Sequence, residues 1–598
     1  MTSVPKHKQN FDISSSSTEK KLFFPIIITL GFFISTFYLT FFHHPVWTET
    51  DGIYYLNFGR AILDGNGHEV IIVNGQIGAP VLFAFLESIF HDAFAIQKSI
   101  AVLSGSGIVF FSFLITRNVF DYKIATVVSL FFAFHPRLIY LSTQALNELL
   151  PILMIMGSLF LITRKQTMLI HYILIGTLLG FSSIFRLQAG FVLLAIIIFL
   201  LIRNRNVKKN ISSAGIVFIF FILAFSPQII YNFTTHDVIL DTFPGYYISS
   251  LLQFQTPEWH QQVENSPDMS LYSIITLDIE LFLKNYFYNL FSHNPDRLFN
   301  FGSVDNLSII PLIPYISLIF IIVSLVYLKK SNYSFKSNFL PLLLLPIIYL
   351  PIISLVPIYR SYHLLPIWLP VVILCSIFVV NFVPEILSKL SKRTPSNFQV
   401  VSVIFVIIIL FLNVGFAYKL VDAAFYGNTS KNINIANEFE RLFQPRIISH
   451  QPSMELQHIA SILSKDPNIE QRYIMANSPT IPYYTNSNFI LAVFNEGNAE
   501  NSINDFILRD SWTEFEIFRS NIHSFPPNRT NQDLPMPDYV IYQPHIFDPT
   551  DVWYEEKANN EKLLILQNPD NSNIPSNFSL LYQSNQTNTV VYKIIHNE

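Results

Sequence analysis

The feature that most constrains this chain is a series of long stretches without charge. Leu22–Phe42 holds no Asp, Glu, Lys or Arg, and its length is about what a helix needs to cross a bilayer core, roughly 20 residues. Further apolar runs lie at about 96–116, 122–141, 146–163, 168–185, 189–203, 213–231, 308–328, 338–357, 364–382 and 399–418. Eleven spans are therefore expected, those near 122–141 and 189–203 being the shortest. The first run is too long for the core of a signal peptide and lacks a small-residue cleavage site, so it reads as an uncleaved span. Composition agrees: of 598 residues, 51% are hydrophobic, 15% aromatic and only 13% charged, about half the usual charged share. A soluble fold with so little charge would expose large apolar patches. Disorder, collagen and coiled coil need polar, Gly-rich or charge-rich sequence.

The basic residues set the expected orientation. With the N-terminus inside, the inner segments carry 18 Lys and Arg: Lys6, Lys8, Lys20, Lys21, Arg117, Lys123, Arg164, Lys165, Arg203, Arg205, Lys208, Lys209, Lys329, Lys330, Lys336, Lys389, Lys392 and Arg393. The outer segments before the last span carry 7: Arg60, Lys98, Arg137, Arg186, Lys284, Arg297 and Arg360. The positive-inside rule favours this arrangement, and an odd number of spans places the C-terminus outside. The expected architecture is a polytopic α-helical membrane protein of the plasma (cell) membrane. It has a cytoplasmic tail (1–21), a transmembrane region (22–420) with outer loops 43–95 and 232–307, and an extracytoplasmic α/β domain (427–598). In that last region Glu438–Phe443 and Met454–Leu463 read as helices. Tyr473–Ala476, Phe489–Val493 and Tyr539–Tyr542 read as strands, and Leu580–Tyr582 with Val590–Ile594 as a terminal hairpin.

A net charge of -4 gives no basic surface for nucleic acid. One cysteine, Cys375, excludes a disulfide framework. Eight Asn-x-Ser/Thr sequons occur, at Asn210, Asn232, Asn306, Asn332, Asn428, Asn528, Asn577 and Asn585. An Asn-rich chain also yields such triplets by chance. No cofactor is required. A divalent metal would have to draw on His43, His44, His236 and His260, which lack paired helical spacing.

Charges next to apolar spans are expensive and need a reason. The first outer loop reads Glu49-Thr50-Asp51-Gly52-Ile53-Tyr54-Tyr55, and Tyr54, Tyr55, Phe58 and Ile62 then recur at helical spacing. This predicts an amphipathic helix along the interface with Asp51 at its start. Asp51 is either a helix cap or a general base kept ionised by helix amides. Glu148, at the start of the fourth run, is either an interfacial carboxylate in water or a site residue. Arg186 and Arg360 end the fifth and ninth runs. Each either snorkels to headgroups or joins the other in binding an anionic phosphate through its fork. The loop 232–307, with Trp259, His260, Tyr272 and a predicted interfacial helix Leu281–Phe291, is either a surface loop or a cover for a bound ligand.

Four pieces in order resemble the GT-C fold membrane glycosyltransferases, and within them the protein-mannosyltransferase and aminoarabinose-transferase-like branch, family 39. They are Asp51-Gly52-Ile53-Tyr54-Tyr55, Asn147-Glu148, Ser226-Pro227-Gln228-Ile229-Ile230-Tyr231-Asn232, and Arg360-Ser361-Tyr362-His363-Leu364-Leu365-Pro366. Gly52 stands where many relatives carry a second acidic residue, and Ser361 interrupts the last element. A Trp-Trp-Asp-x-Gly motif is absent from the sequence, which disfavours an oligosaccharyltransferase catalytic subunit. The resemblance implies an inverting transfer of a sugar from a polyprenyl (dolichyl-type) phosphate to a glycan, lipid or protein hydroxyl on the outer face. Asp51 and Glu148 would be catalytic. Arg186, Arg360, His363, Tyr54, Glu49 and Asn232 would bind the donor's phosphate and sugar. The alternatives are a lipid-linked glycan flippase or transporter, for which a repeated half with broken helices would be expected, and a polysaccharide polymerase or ligase.

Overall fold

The computed structural model describes residues 18–43, 50–63, 65, 76–90, 92–146, 148–164, 166–203, 205–236, 279–294, 298, 313–330, 338–355, 364–391, 399–404, 406–408, 452–476, 480–485, 487–491, 517–519, 537–542, 566, 568–570, 574, 576–584 and 589–596. Glu438–Phe443, Arg360, His363 and Glu49 lie outside them.

The membrane part is a helix bundle: α1 (Thr18–Tyr38), α2 (Thr50–Leu63), α3 (Gly78–Phe90), α4 (Ala93–Val119), α5 (Tyr122–Ala133), α6 (Pro136–Ser142), α7 (Leu149–Ile162), α8 (Leu169–Phe185), α9 (Ala189–Ile202), α10 (Val207–His236), α11 (Ile279–Tyr288), α12 (Ile313–Lys330), α13 (Leu340–Ile353), α14 (Leu365–Ile377) and α15 (Val383–Ser391). Among the described residues four helical stretches are long and apolar enough to cross a membrane: Phe23–Phe42, Ala93–Val119, Val207–Thr234 and Leu365–Ser391. The other apolar helices are shorter, 10–17 residues. Segments such as α9, rich in Ile, Leu and Val, are helical despite their β-branched content. In lipid a helix satisfies every backbone group within the segment. Phe23, Ile26, Leu30 and Ile34 on α1, and Phe218, Leu223 and Ile230 on α10, remain exposed, as lipid-facing side chains do.

Three local differences from the sequence expectation stand out. The 122–141 run is broken at Phe134–His135, where Pro136 starts α6. The loop expected over 43–95 contains the apolar helix α3. Lys98 and Arg137, counted above as outer-segment charges, are instead buried, Lys98 inside α4 and Arg137 inside α6.

The tightest helix pairing is α8 against α10, made possible by Gly176 and Gly180. A Cβ on Gly180 would stand 2.6 Å from Ala224 Cβ, and one on Gly176 would stand 3.0 Å from Phe220 Cβ. Small residues four apart let helix backbones approach in lipid. Pro227 inside α10 removes one backbone donor. The Ser226 hydroxyl supplies a replacement, donating to Leu223 O at 2.8 Å.

The C-terminal region forms a mixed six-stranded sheet in the order β3-β2-β1-β4-β6-β5, built from β1 (Tyr473–Ala476), β2 (Asn488–Leu491), β3 (Ile517–Arg519), β4 (Tyr539–Tyr542), β5 (Phe578–Gln583) and β6 (Val590–Ile594). β1 pairs in parallel with both β2 and β4, and the other pairings are antiparallel. Helix α16 (Pro452–Leu463) is tied to the last hairpin through the buried Glu455, which accepts from Tyr582 Oη (3.1 Å) and Thr589 Oγ1 (3.3 Å). Helix α17 (Thr480–Thr485) lies against α2, and its Tyr484 ring meets Phe94 of α4 edge-on at 6.2 Å. This region therefore docks on the bundle end where α4 begins.

Gly180→Leu is expected to cost about 1–3 kcal/mol by overpacking α8 on α10, read as a lower melting temperature in detergent. A second expectation concerns acid. The Asn468 backbone N–H, then the Tyr539 hydroxyl, hold the Asp466 carboxyl below the usual carboxylate range, and Arg472 sits beside it. A carboxyl whose pKa falls on folding adds stability above the unfolded value, about 3.9. It loses that stability as pH drops toward the folded value. Asp466→Asn should therefore lower the denaturation midpoint by a constant amount between pH 6 and 8, with the gap to wild type closing below about pH 4.

Candidate active site at one end of the helix bundle

Glu148 and Arg186 come together because the helices carrying them are fastened near the same end. Ser182, one turn before the end of α8, donates to Pro151 O in the first turn of α7 at 3.0 Å. This holds the start of α7 beside the end of α8. Arg186 is an extended residue in the tight α8–α9 connection, with its N–H on Ser182 O at 2.9 Å. Its guanidinium forms an ion pair with Glu148 Oε1. The side chains are only 3% (Glu148) and 12% (Arg186) exposed. This answers two questions the sequence left open. Glu148 is not in water, and Arg186 does not reach out alone to headgroups.

Thr143–Leu146, just before Glu148 in the sequence, is unwound but buried. Irregular backbone is tolerated at such depth only when protein groups satisfy it. Thr143 Oγ1 donates to Tyr140 O (2.7 Å), Gln144 Nε2 to Thr143 Oγ1 (3.0 Å), and Gln97 Nε2, from the first turns of α4, to Leu146 O (2.9 Å). Next to Gln97 is Lys98, 0% exposed, with its ammonium over the Phe94 ring at 4.9 Å. Sequence reasoning counted Lys98 only as an outer-segment charge, although it falls inside the apolar run 96–116. A charge in such a run was the available signal.

Further elements close the same end. Gly78 starts α3 against Ile184 and Phe185, the residues before Arg186; a Cβ there would lie 2.9 Å from both. Ile77 N–H donates to Gln228 Oε1 of α10 at 3.0 Å, and Gln228 Nε2 donates to Asn232 Oδ1 at 2.7 Å. Asn232 is buried within α10, so this sequon is sealed in a helix. Helix α2 packs on α3 through Gly59, whose missing Cβ would meet Phe83 Cβ at 2.8 Å. Asp51 lies in the first turn of α2 and Tyr54 one turn on. A negative charge in a first turn is favoured by the helix dipole. The structure thus gathers Glu148, Arg186 and Asn232 at one end and packs the helix bearing Asp51 and Tyr54 against α3 there.

His135 stacks on Trp368 of α14, ring centres 4.0 Å apart, and Arg137 stands 5.5 Å from the Tyr140 ring. Trp368 is one turn from the start of α14, just after the Arg360–His363 segment. At the opposite end, Arg164 contacts His171 (3.3 Å) and Arg203 donates to Thr167 Oγ1 (3.0 Å). Among the described residues, no three His, Cys, Asp or Glu side chains converge as a metal would need.

Residues 77–231 match the family model of dolichyl-phosphate-mannose-protein mannosyltransferases. No curated protein matches the chain. Among solved structures, the chain is similar to the oligosaccharyltransferase AglB of Archaeoglobus fulgidus in complex with an inhibitory peptide and a dolichol-phosphate. The identity is 12%, 78% of this chain and 64% of that one are covered, and the TM-score is 0.46. It is also similar to ArnT of Cupriavidus metallidurans bound to undecaprenyl phosphate, at 9% identity over 95% of this chain and 97% of that one, with a TM-score of 0.48. The match thus spans 64% of the length of the archaeal oligosaccharyltransferase.

Removing one member of a buried ion pair leaves the other charge uncompensated, which typically costs 3–5 kcal/mol, while removing both with matched volume is often near neutral. Glu148→Gln alone is expected to lose about 3 kcal/mol of stability. The double variant Glu148→Gln/Arg186→Met should recover most of it, as read from melting temperatures in a double-mutant cycle.

Proposed function

We propose that the protein is a glycosyltransferase that moves a sugar from a polyprenyl (dolichyl-type) phosphate to an acceptor hydroxyl on the outer membrane face. The observation that carries this reading is the Glu148–Arg186 pair, a carboxylate and a guanidinium buried together at one end of an apolar bundle. Both residues fall within the 77–231 segment that matches the mannosyltransferase family model. A donor anchored in lipid presents its phosphate and sugar at a bundle end, and the buried Glu148–Arg186 pair lies at one such end.

In this reading Asp51 accepts the proton of the acceptor hydroxyl while the hydroxyl oxygen attacks the anomeric carbon. The bond from that carbon to the phosphate oxygen breaks on the opposite face. Its electron pair leaves with the polyprenyl phosphate, and the anomeric configuration inverts. Arg186 and Arg360 meet the phosphate's growing charge, which stabilises the transition state. Glu148 holds the Arg186 fork in place; a guanidinium has five N–H donors, more than one carboxylate contact uses. Lys98 supplies a further basic group near this end. Glu49, Tyr54, Asn232 and His363 complete the donor site, and the acceptor is a glycan, lipid or protein.

Asp51→Asn should reduce transfer from dolichyl-phosphate mannose or another polyprenyl-phosphate sugar by ~100- to 10,000-fold, with the melting temperature unchanged. Near-normal transfer by this variant would exclude Asp51 as the base.

A further inference from the structure

Helix α11 and the π-turn that follows it (Asn289–His293) have an inverted amphipathic pattern. Ile279, Leu283, Phe287 and Phe291 form an exposed apolar row. The opposite side buries three carboxamides, Asn285, Asn289 and Asn294. Surface helices of soluble proteins do the reverse. A helix of this kind suits a position with lipid outside and a polar interior.

Two of them, Asn289 and Asn294, are anchored by Ser354, just past the end of α13. Asn289 Nδ2 donates to Ser354 O at 3.3 Å, Asn294 Nδ2 to Ser354 Oγ at 2.9 Å, and Ser354 Oγ to Leu350 O at 2.6 Å. This network fixes both amide orientations. Ser354 O can only accept, and Ser354 Oγ has its one hydrogen on Leu350 O, so each asparagine must turn its NH2 toward Ser354. Each Oδ1 is then directed away. Asn289 is 1% exposed and Asn294 0%, and among the described residues neither Oδ1 has a hydrogen-bond partner. Native structures leave few buried acceptors unmet, and a vacant one calls for a ligand or a water. A pair of neutral acceptors selects a donor-rich neutral group. It repels phosphate, and it lacks the carboxylates that a hard cation prefers.

Their location connects them to the site already described. Ser354 lies six residues before Arg360. Tyr349, on the preceding turn of α13, packs its ring edge-on against Phe191 of α9 at 5.7 Å, five residues after Arg186 in the sequence. We infer that Asn289 and Asn294 form a subsite that accepts hydrogen bonds from the hydroxyls of the donor's sugar, beside the cations that would hold its phosphate. This inference rests on the glycosyltransferase reading and adds a recognition role for the α11 segment.

The test uses the full chain in lipid nanodiscs and thermal-shift titration with three probes: dolichyl phosphate, dolichyl-phosphate mannose and dolichyl-phosphate glucose. Wild type should bind at least one sugar-bearing lipid more tightly than the bare lipid, by roughly 5- to 100-fold for two hydrogen bonds. Asn289→Leu/Asn294→Leu should abolish that preference and keep the affinity for dolichyl phosphate. Asn289→Ala, which leaves Asn294 on Ser354, is the arm least able to disturb folding and should remove part of the preference. Equal loss of all three lipids would make the asparagines purely structural. A preference that survives in both variants, or a wild type that does not discriminate, would leave only ordered water at the two oxygens. Each of these outcomes overturns the subsite alone. A wild type that binds none of the probes would remove the glycosyltransferase reading and the subsite with it.

Discussion

The organisation of this protein depends on one electrostatic constraint: a carboxylate and a guanidinium in an apolar bundle must find each other. Transfer of a lone charge into such surroundings is prohibitive, and partial compensation by a paired charge is the available solution. The Glu148–Arg186 pair therefore sets where α7 may start and where α8 must stop. The Ser182–Pro151 contact, the Gly176–Gly180 approach to α10 and the unwound chain before Glu148 all serve that placement. Burial of the pair also lowers the local dielectric, in which charges interact more strongly than in water.

Much of this was legible in the sequence because charge is so rare there. Glu148 and Arg186 were conspicuous as interruptions at the edges of apolar runs. The strands Tyr473–Ala476 and Tyr539–Tyr542 and the terminal hairpin were visible as short β-branched and aromatic segments between polar turns. What the sequence hid has physical reasons. Lys98 and Arg137 looked like loop charges, since periodicity locates a helix end only to within a few residues and both side chains are enclosed by other helices. Helix α3 was concealed because its 13 residues are too few to register as a span. The break at His135–Pro136 could have been read from the proline.

The asparagines of α11 were the hardest to see. In an Asn-rich chain three more carboxamides carry no signal by type. Their meaning comes from direction, with an apolar row outside and amide groups held on Ser354 inside. The same segment was expected to be a helix over Leu281–Phe291, and it is helical over Ile279–His293. Its polar side adds two neutral acceptors held on Ser354. A sugar phosphate needs both kinds of group, cations for the phosphate and neutral acceptors for the hydroxyls.

The two ends of the bundle offer a direct contrast. One has Glu148, Arg186, Lys98, Gln228 and Asn232, and the other has Arg164, His171, Thr167 and Arg203. Both carry arginines, so a phosphate has two possible destinations. A dolichyl phosphate with a photoreactive diazirine in its first isoprene unit, activated in nanodiscs and mapped by mass spectrometry, separates them. The account predicts labels within 143–148, 184–190 and 228–232. Labels concentrated within 162–171 and 203–209 would contradict it.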